Sequence, residues 1–359
     1  MERIPLQAVT PEALARAVPA CTLGEARKVV AQIHRGEAVA ASSSVRRVAA
    51  EAVAARGHVP SLTVRAREAS AIDPFEKLVL ALPDGEVIET VRIPLERAGR
   101  MTVCVSSQVG CALACTFCAT GRLGLRRNLE TWEIVEQVRV VRATLAAGER
   151  VHGVVFQGMG EPMANLDHVL EAIAVLSEPC AFGIDARAIT VCTSGNPSGI
   201  RRLAREAPRV RLGLSFGSAR PEVRRSLMPI ERAHSLDEVL AAAAEHARTT
   251  GLSPMWALTL LAGVNDGPDD ARALAARAHA FAAETGLRPR LSLIAYNPIG
   301  PIAGEGGADP FARSSDAAMT AFRAVLADAG LASHRRYSGG ADIAAACGQL
   351  ASRAPSVAG

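Results

Sequence analysis

Cys111, Cys115 and Cys118 stand in the stretch "MTVCVSSQVGCALACTFCATG" at C-x3-C-x2-C spacing, with Cys104 seven residues before the first of them. Half of the eight cysteines in the chain thus fall within one fifteen-residue segment. A loop of that spacing lets three thiolates face a common point, and no histidine or fourth cysteine adjoins them to complete a four-ligand zinc site. Three ligands leave one coordination position open. An iron–sulfur cluster on three protein thiolates meets that condition, because its fourth iron can bind a substrate or cofactor. Further along, Gly158 and Gly160 of "GMGEP" permit close backbone approach, and Glu161 between them and Pro162 offers a carboxylate to an ammonium group. Met163 occupies the third glycine position of a dinucleotide fingerprint, so that motif is not present.

These groups must be positioned by the elements around them. From Arg100 onward, strand-like apolar runs alternate six times with helical stretches, beginning with "MTVCVSS" and "TWEIVEQVRVVRATLAAG" and ending with "RPRLSLIAYN" and "DAAMTAFRAVLADAG". Six βα units predict an α/β fold with a parallel sheet, open or curled into an incomplete barrel. In such folds reactive groups collect at the C-terminal strand ends. The cysteine cluster follows strand one, "GMGEP" follows strand two, Cys192 and Ser194 end strand three, Ser215 ends strand four and Asn297 ends strand six. The expected division is a small basic helical accessory unit over 1–60, a β-hairpin extension over 61–98 turning at "PDG", the core barrel over 99–350 and a flexible tail over 351–359.

The 359 residues carry a net charge of +4, which permits contact with a polyanion without demanding it. Lysine occurs only at Lys28 and Lys77, so nearly all positive charge is arginine. The arginine pairs at 126–127, 201–202, 224–225 and 335–336 are either phosphate contacts or solvated helix faces. No apolar run reaches 18 residues and the N-terminal stretch lacks a signal pattern, so a cytoplasmic location without membrane contact is expected. In that reducing compartment clustered thiols serve metal or redox chemistry rather than structural disulfides. Trp132 and Trp256 are expected to pack in the core, and Cys21 and Cys180 to stay unligated.

The cysteine motif, with Phe117 before its last cysteine, resembles the signature of radical S-adenosylmethionine (radical SAM) enzymes. The resemblance implies a partial (βα)6 barrel, a [4Fe-4S] cluster on Cys111, Cys115 and Cys118, and S-adenosyl-L-methionine bound at the open iron. More narrowly, "CVSSQVGCALACTFCATG", "GMGEP", "MPI", "GVNDG" and "ADIAAACGQL", in this order between about residues 86 and 350, resemble the RlmN/Cfr family of RNA adenine methyltransferases. That family methylates C2 or C8 of adenine in ribosomal RNA or transfer RNA, carbons that are electrophilic and carry no acidic proton. The resemblance implies that Cys347 carries the methyl group as S-methylcysteine. Cys104 then resolves the protein–RNA thioether through a transient disulfide, and Glu89 serves as the base. It assigns Gly160, Glu161, Cys192, Ser194, Ser215, Gly217 and Asn297 to the cofactor. A flavodoxin- or ferredoxin-type electron donor and a monomeric state are also expected.

Two positions depart from the family pattern. Gly217 stands where the family has histidine, and Cys192 replaces the first serine of its Ser-Thr-Ser-Gly. They keep two alternatives open: a radical enzyme acting on another substrate, such as a maturing peptide, and a metal-stabilised RNA-binding protein.

Overall fold

The computed structural model of the chain describes residues 3–300 and 309–351. Ten strands form one sheet: β1 (Thr63–Ala69), β2 (Glu76–Ala81), β3 (Val87–Pro94), β4 (Arg100–Val105), β5 (Arg150–Phe156), β6 (Ile189–Thr193), β7 (Arg211–Ser215), β8 (Met255–Leu260), β9 (Arg290–Ala295) and β10 (Ser333–Arg335). Each strand lies beside its neighbour in sequence, from β1 at one edge to β10 at the other. β1 to β4 pair antiparallel, and every pairing from β4 to β10 is parallel.

The six predicted units are β4 to β9, crossing over through α4 (Thr131–Ala143), α5 (Leu166–Ser177), α6 (Pro197–Glu206), α8 (Leu236–Thr250), α9 (Pro268–Thr285) and α10 (Asp316–Asp328), with the short α7 (Pro221–Leu227) before α8. Their boundaries follow local chemistry. Ser235 and Glu238 form a reciprocal capping box at the start of α8, and Gly251 ends it at φ +69°, a left-handed conformation that favours glycine. The helices cover the outer face of the strands and the inner face closes into the barrel, so both faces are largely buried and the strands read as nearly unbroken apolar runs. β10 is a seventh parallel strand that the sequence reading missed, three residues being too short for any periodicity.

Residues 63–94 continue the barrel sheet itself, since β3 pairs directly with β4. The turn at "PDG" is present: the Leu82 amide donates to the Glu86 carbonyl at 2.8 Å, with Gly85 at φ +88°. The helices α1 (Pro11–Ala17), α2 (Leu23–His34) and α3 (Arg47–Arg56) enclose their own small core of Leu14, Val29, Ile33 and Val53, which also takes up Cys21. This unit meets the barrel where the Arg139 and Arg142 guanidinium groups of α4 donate to the Ile33 and His34 carbonyls. Trp256 is fully buried, stacked on Phe216 at 4.7 Å, and Trp132 is buried in the same main core. Among the described residues no helix is long and apolar enough to cross a membrane. All but the first residue of the predicted tail over 351–359 lies outside the described residues.

Candidate active site

The cysteine loop begins where β4 ends. Ser106, fully buried, donates from its amide to Gln137 Oε1 at 2.8 Å and from its hydroxyl to the Glu89 carbonyl at 2.6 Å, fixing the strand end. The ribbon Gln108–Gly110 with Leu125–Asn128 then brackets the loop. Gly110 sits at φ +73°, where a Cβ would collide with the Gly124 carbonyl. Ala114 is one of two non-glycine residues with positive φ among those described, at +51°, so the loop stores backbone strain between its first two ligands.

Cys111, Cys115 and Cys118 line one cavity. They do not converge on one point as a single-ion site would require. A four-iron cage spaces its ligand sulfurs apart, so three thiols spread around one cavity wall suit it. Burial pushes all three thiols up, Cys111 to about 12. A protonated thiol is a poor ligand, so iron must itself supply the charge that draws off the protons.

The opposite wall is built from strand ends, and Gly160, Glu161, Cys192, Ser194, Ser215 and Gly217 all line the same cavity. Glu161 is buried, and burial raises its carboxyl. Its oxygens accept the Ser194 amide at 2.9 Å and the Met163 amide at 3.0 Å, which orients it while leaving lone pairs for an ammonium. Gly160, at φ +98°, could not carry a side chain without striking Gln108. Ser194 faces Cys115 across the cavity and lies near enough to offset slightly the burial that raises that thiol. Both departures from the family pattern therefore face the chamber. Gly217 adopts φ +65° against Met228, and Cys192 packs where only Gly213 leaves room for its sulfur.

A second cavity adjoins the first, the two sharing Cys118, Thr120, Gln157, Gly158, Cys347 and Gly348. Cys104 and Cys347 both line it as free thiols, 243 positions apart in sequence yet close enough that Cys347 adds to the cost of ionising Cys104. Burial is the larger cause and pushes Cys104 up to about 12. No disulfide joins them in this structure. The Cys347 segment is fastened on several sides. The Ser338 hydroxyl accepts its amide at 2.9 Å, Asn297 donates to its carbonyl at 3.2 Å, and the Gly348 carbonyl accepts the Ala119 amide at 2.8 Å.

Two predicted residues fall outside these walls. Asn297 is buried behind Cys347, bridging it to Arg313, and does not line the cofactor chamber. Glu89 is buried on β3, within 3.3 Å of Lys77 Nζ, and accepts the Ala351 amide at 2.9 Å. It sits under the C-terminal segment rather than in the cavity, and not on an exposed strand face. Arg336 was read only as half of an arginine pair. It stands among Cys104, Cys192 and Cys347, which hold its guanidinium charged, and donates to Gln157 at 3.0 Å. Asp73 was not anticipated either; it accepts the Gly340 amide and the Tyr337 hydroxyl, both at 2.8 Å. No local pattern announced these contacts, of which Arg336–Gln157, Asp73–Gly340 and Asp73–Tyr337 join residues more than 170 positions apart.

The comparisons with known proteins follow this geometry. Residues 105–275 match the radical SAM superfamily. The chain is 59% identical over 358 residues to a probable RNA methyltransferase of Sorangium cellulosum, covering 95% of this chain and 90% of that one. It is 39% identical to a probable dual-specificity RNA methyltransferase RlmN of Moorella thermoacetica, covering 97% of each. A crystal structure of a radical SAM methyltransferase from Sphaerobacter thermophilus superposes with a TM-score of 0.84 at 34% identity, covering 98% of this chain and all of that one. With a cavity whose walls suit the cluster on one side and the methionine cofactor on the other, the chain belongs to the RlmN-type radical SAM RNA methyltransferases, which use a [4Fe-4S] cluster and S-adenosylmethionine.

Proposed function

We propose that the chain methylates C2 or C8 of an adenine in ribosomal or transfer RNA, with Cys347 carrying the methyl group. The observation that supports this most directly is that Cys347 lies in the wall shared by the cofactor chamber and the Cys104 cavity. When bound, the cluster on Cys111, Cys115 and Cys118 and the S-adenosylmethionine held near Glu161, Ser194 and Ser215 supply a methyl group and a hydrogen-abstracting radical.

The side chains of the protein do the rest. The Cys347 sulfur gains an S–CH3 bond as the sulfonium donor loses it, with the thiol proton released. Once the methyl carbon is joined to the adenine ring, the radical adduct gives up one electron, for which the oxidised cluster would be the acceptor, and Glu89 accepts the ring proton. To reach it, the carboxylate must first release the Ala351 amide, so the C-terminal segment shifts during turnover. The Cys104 thiolate then attacks the Cys347 sulfur; the S–CH2 bond breaks, product carbon takes the electron pair and a proton, and the resulting disulfide is reopened by a thiol reductant. Arg336 stabilises the attacking Cys104 thiolate. Electrons come from a flavodoxin- or ferredoxin-type protein, and the enzyme works as a cytoplasmic monomer.

The test is to incubate the reconstituted full chain with RNA, cofactor and reductant, and to analyse digested nucleosides by mass spectrometry. Methylated adenosine is expected from the wild type and none from Cys347→Ala. Cofactor cleavage without any methylated adenosine in the wild type would overturn the proposal.

A further inference from the structure

The barrel has a second opening, at the N-terminal ends of its strands, and that opening is basic. Arg187, Arg211 and Arg290 line it, with His152 beside them, and Arg336 closes its inner end. Arg97, Arg100 and Arg150 surround His152, and burial together with their charge disfavours its protonation. Burial and the neighbouring Arg290 and Arg187 likewise lower Arg211. None of these outer arginines forms a salt bridge among the described residues. Asp185, the carboxylate that reaches them, is itself bound to Arg209 at 3.1 Å. Elsewhere arginines are neutralised: Arg201 by Glu245, Arg202 by Asp167 and Glu206, Arg127 by Asp84 and Glu133, Arg224 by Glu231 and Arg335 by Asp316. Five of the eight arginines in the pairs that drew notice in the sequence are thus spent on ion pairs, whereas Arg187, Arg211 and Arg290 at this mouth are not.

The mouth also leads somewhere. Strand side chains alternate, so Thr102 and Cys104, Thr190 and Cys192, and Met255 and Ala257 each share the inner face. The first of each pair lines the mouth and the second lines a chamber above. Ile93 and Arg336 belong to both the mouth and the Cys104–Cys347 cavity. The climb from Arg100 to Cys104 is four residues, about 13 Å at ~3.3 Å per residue. A base stacked inside a duplex cannot cross that gap, whereas a single-stranded or extruded nucleotide can.

We propose that RNA docks at this mouth, its phosphates on Arg187, Arg211 and Arg290, and sends an unpaired adenine up the barrel past Arg336 to Cys347. The proposal rests on the RNA-methylating reading above. An acidic electron donor would also favour a basic surface, but electrons must enter near Cys111, Cys115 and Cys118, at the other end of the strands.

The test uses the full-length holoenzyme and a labelled, adenine-containing single-stranded RNA, with the same sequence as a duplex for comparison. The triple variant Arg187→Gln, Arg211→Gln, Arg290→Gln is set against the outer-helix control Arg201→Gln, Arg202→Gln, with iron content and cluster absorbance reporting folding. At about 100 mM salt the triple variant is expected to bind the single strand at least tenfold more weakly. Its slope of log affinity against log salt should fall by about 2, near 0.7 for each lost phosphate contact. Lysine at the three positions should restore most of the slope, while the control keeps wild-type binding. A wild-type slope in the triple variant, an equal loss in the control, or a defect seen with a protein reductant but absent with dithionite would each overturn the mouth assignment. The two readings separate cleanly. Methylated adenosine from the wild type alongside intact RNA binding by the triple variant sinks only the mouth, and mouth-dependent binding without methylated adenosine sinks only the chemistry.

Discussion

The Gly348 carbonyl accepts the Ala119 amide at 2.8 Å, so the residue after Cys347 is tied to the residue after Cys118. Immediately beyond, the Thr120 hydroxyl donates to the Leu350 carbonyl. The segment bearing the carrier thiol is thereby indexed to the loop bearing the cluster, across more than two hundred residues of chain.

Thr120→Val tests that indexing. Thr120 is 3% exposed, and replacing its hydroxyl strands the buried Leu350 carbonyl at a cost of about 1–3 kcal/mol. Hydrogen exchange should quicken over residues 344–351 and RNA methylation should fall, while iron content stays at the wild-type level. Unchanged exchange in that segment would contradict the role assigned to the contact.

Asn297→Ala removes the donor to both the Cys347 carbonyl and Ser338, and the acceptor for Arg313. Because this side chain lies behind Cys347 and not in the chamber, cofactor affinity should be nearly unchanged and turnover should drop about tenfold or more, the signature of ~1.4 kcal/mol lost from positioning. A large fall in S-adenosylmethionine binding would return Asn297 to the cofactor contacts expected from sequence.

Gly217→Ala addresses the departure at the end of β7. The backbone there is left-handed at φ +65°, and a Cβ would strike Met228 Sδ. Left-handed strain costs roughly 1–2 kcal/mol for a non-glycine residue, before any overlap is counted. Thermal unfolding should shift down by several degrees, and the family's histidine could be accommodated only if position 228 is reduced as well. An unshifted melting temperature would show that Met228 simply moves aside.

Acid should loosen the N-terminal unit first. His34 is buried against Phe182 with neither ring nitrogen hydrogen-bonded. Burial, then Arg142 and Arg139, depress its pKa to about 3. The unfolded chain, with an ordinary histidine near 6.5, therefore binds the proton more readily than the folded one, so stability is complete above about pH 6.5 and declines as pH falls toward 3. The maximal slope from this one group is about 1.4 kcal/mol per pH unit. Limited proteolysis at pH 5 should cut α1–α3 before the barrel, and His34→Gln should flatten the dependence. Buried His246, lowered to about 4 by burial alone, adds a similar slope within the barrel.

The sequence made the barrel and its cysteine chamber legible because both are written locally. Nearly unbroken apolar runs separated by helical stretches mark β4 to β9, and the three ligands sit within eight residues of one another. The same rule placed Glu161, Ser194 and Ser215 on one rim. The surroundings of Cys347 were not legible, because they depend on where distant segments cross. Asp73 clamps Gly340, Arg336 reaches Gln157, and Asn297 bridges the Cys347 carbonyl and Arg313. Charge was misread for a related reason: an arginine's freedom depends on which acid the fold delivers to it, and adjacency in sequence says nothing of that.

The wall that Cys347 and Gly348 give to the cluster chamber has a consequence for biosynthesis. The three ligand cysteines emerge early, but the strip that closes over them is translated about 230 residues later, roughly 10–50 s at 5–20 residues per second. Throughout that interval the chamber lacks one side and the nascent thiols are open to oxidants. Iron delivery is therefore best timed after residue 351 has been made, which makes cluster insertion a checkpoint on completed chains.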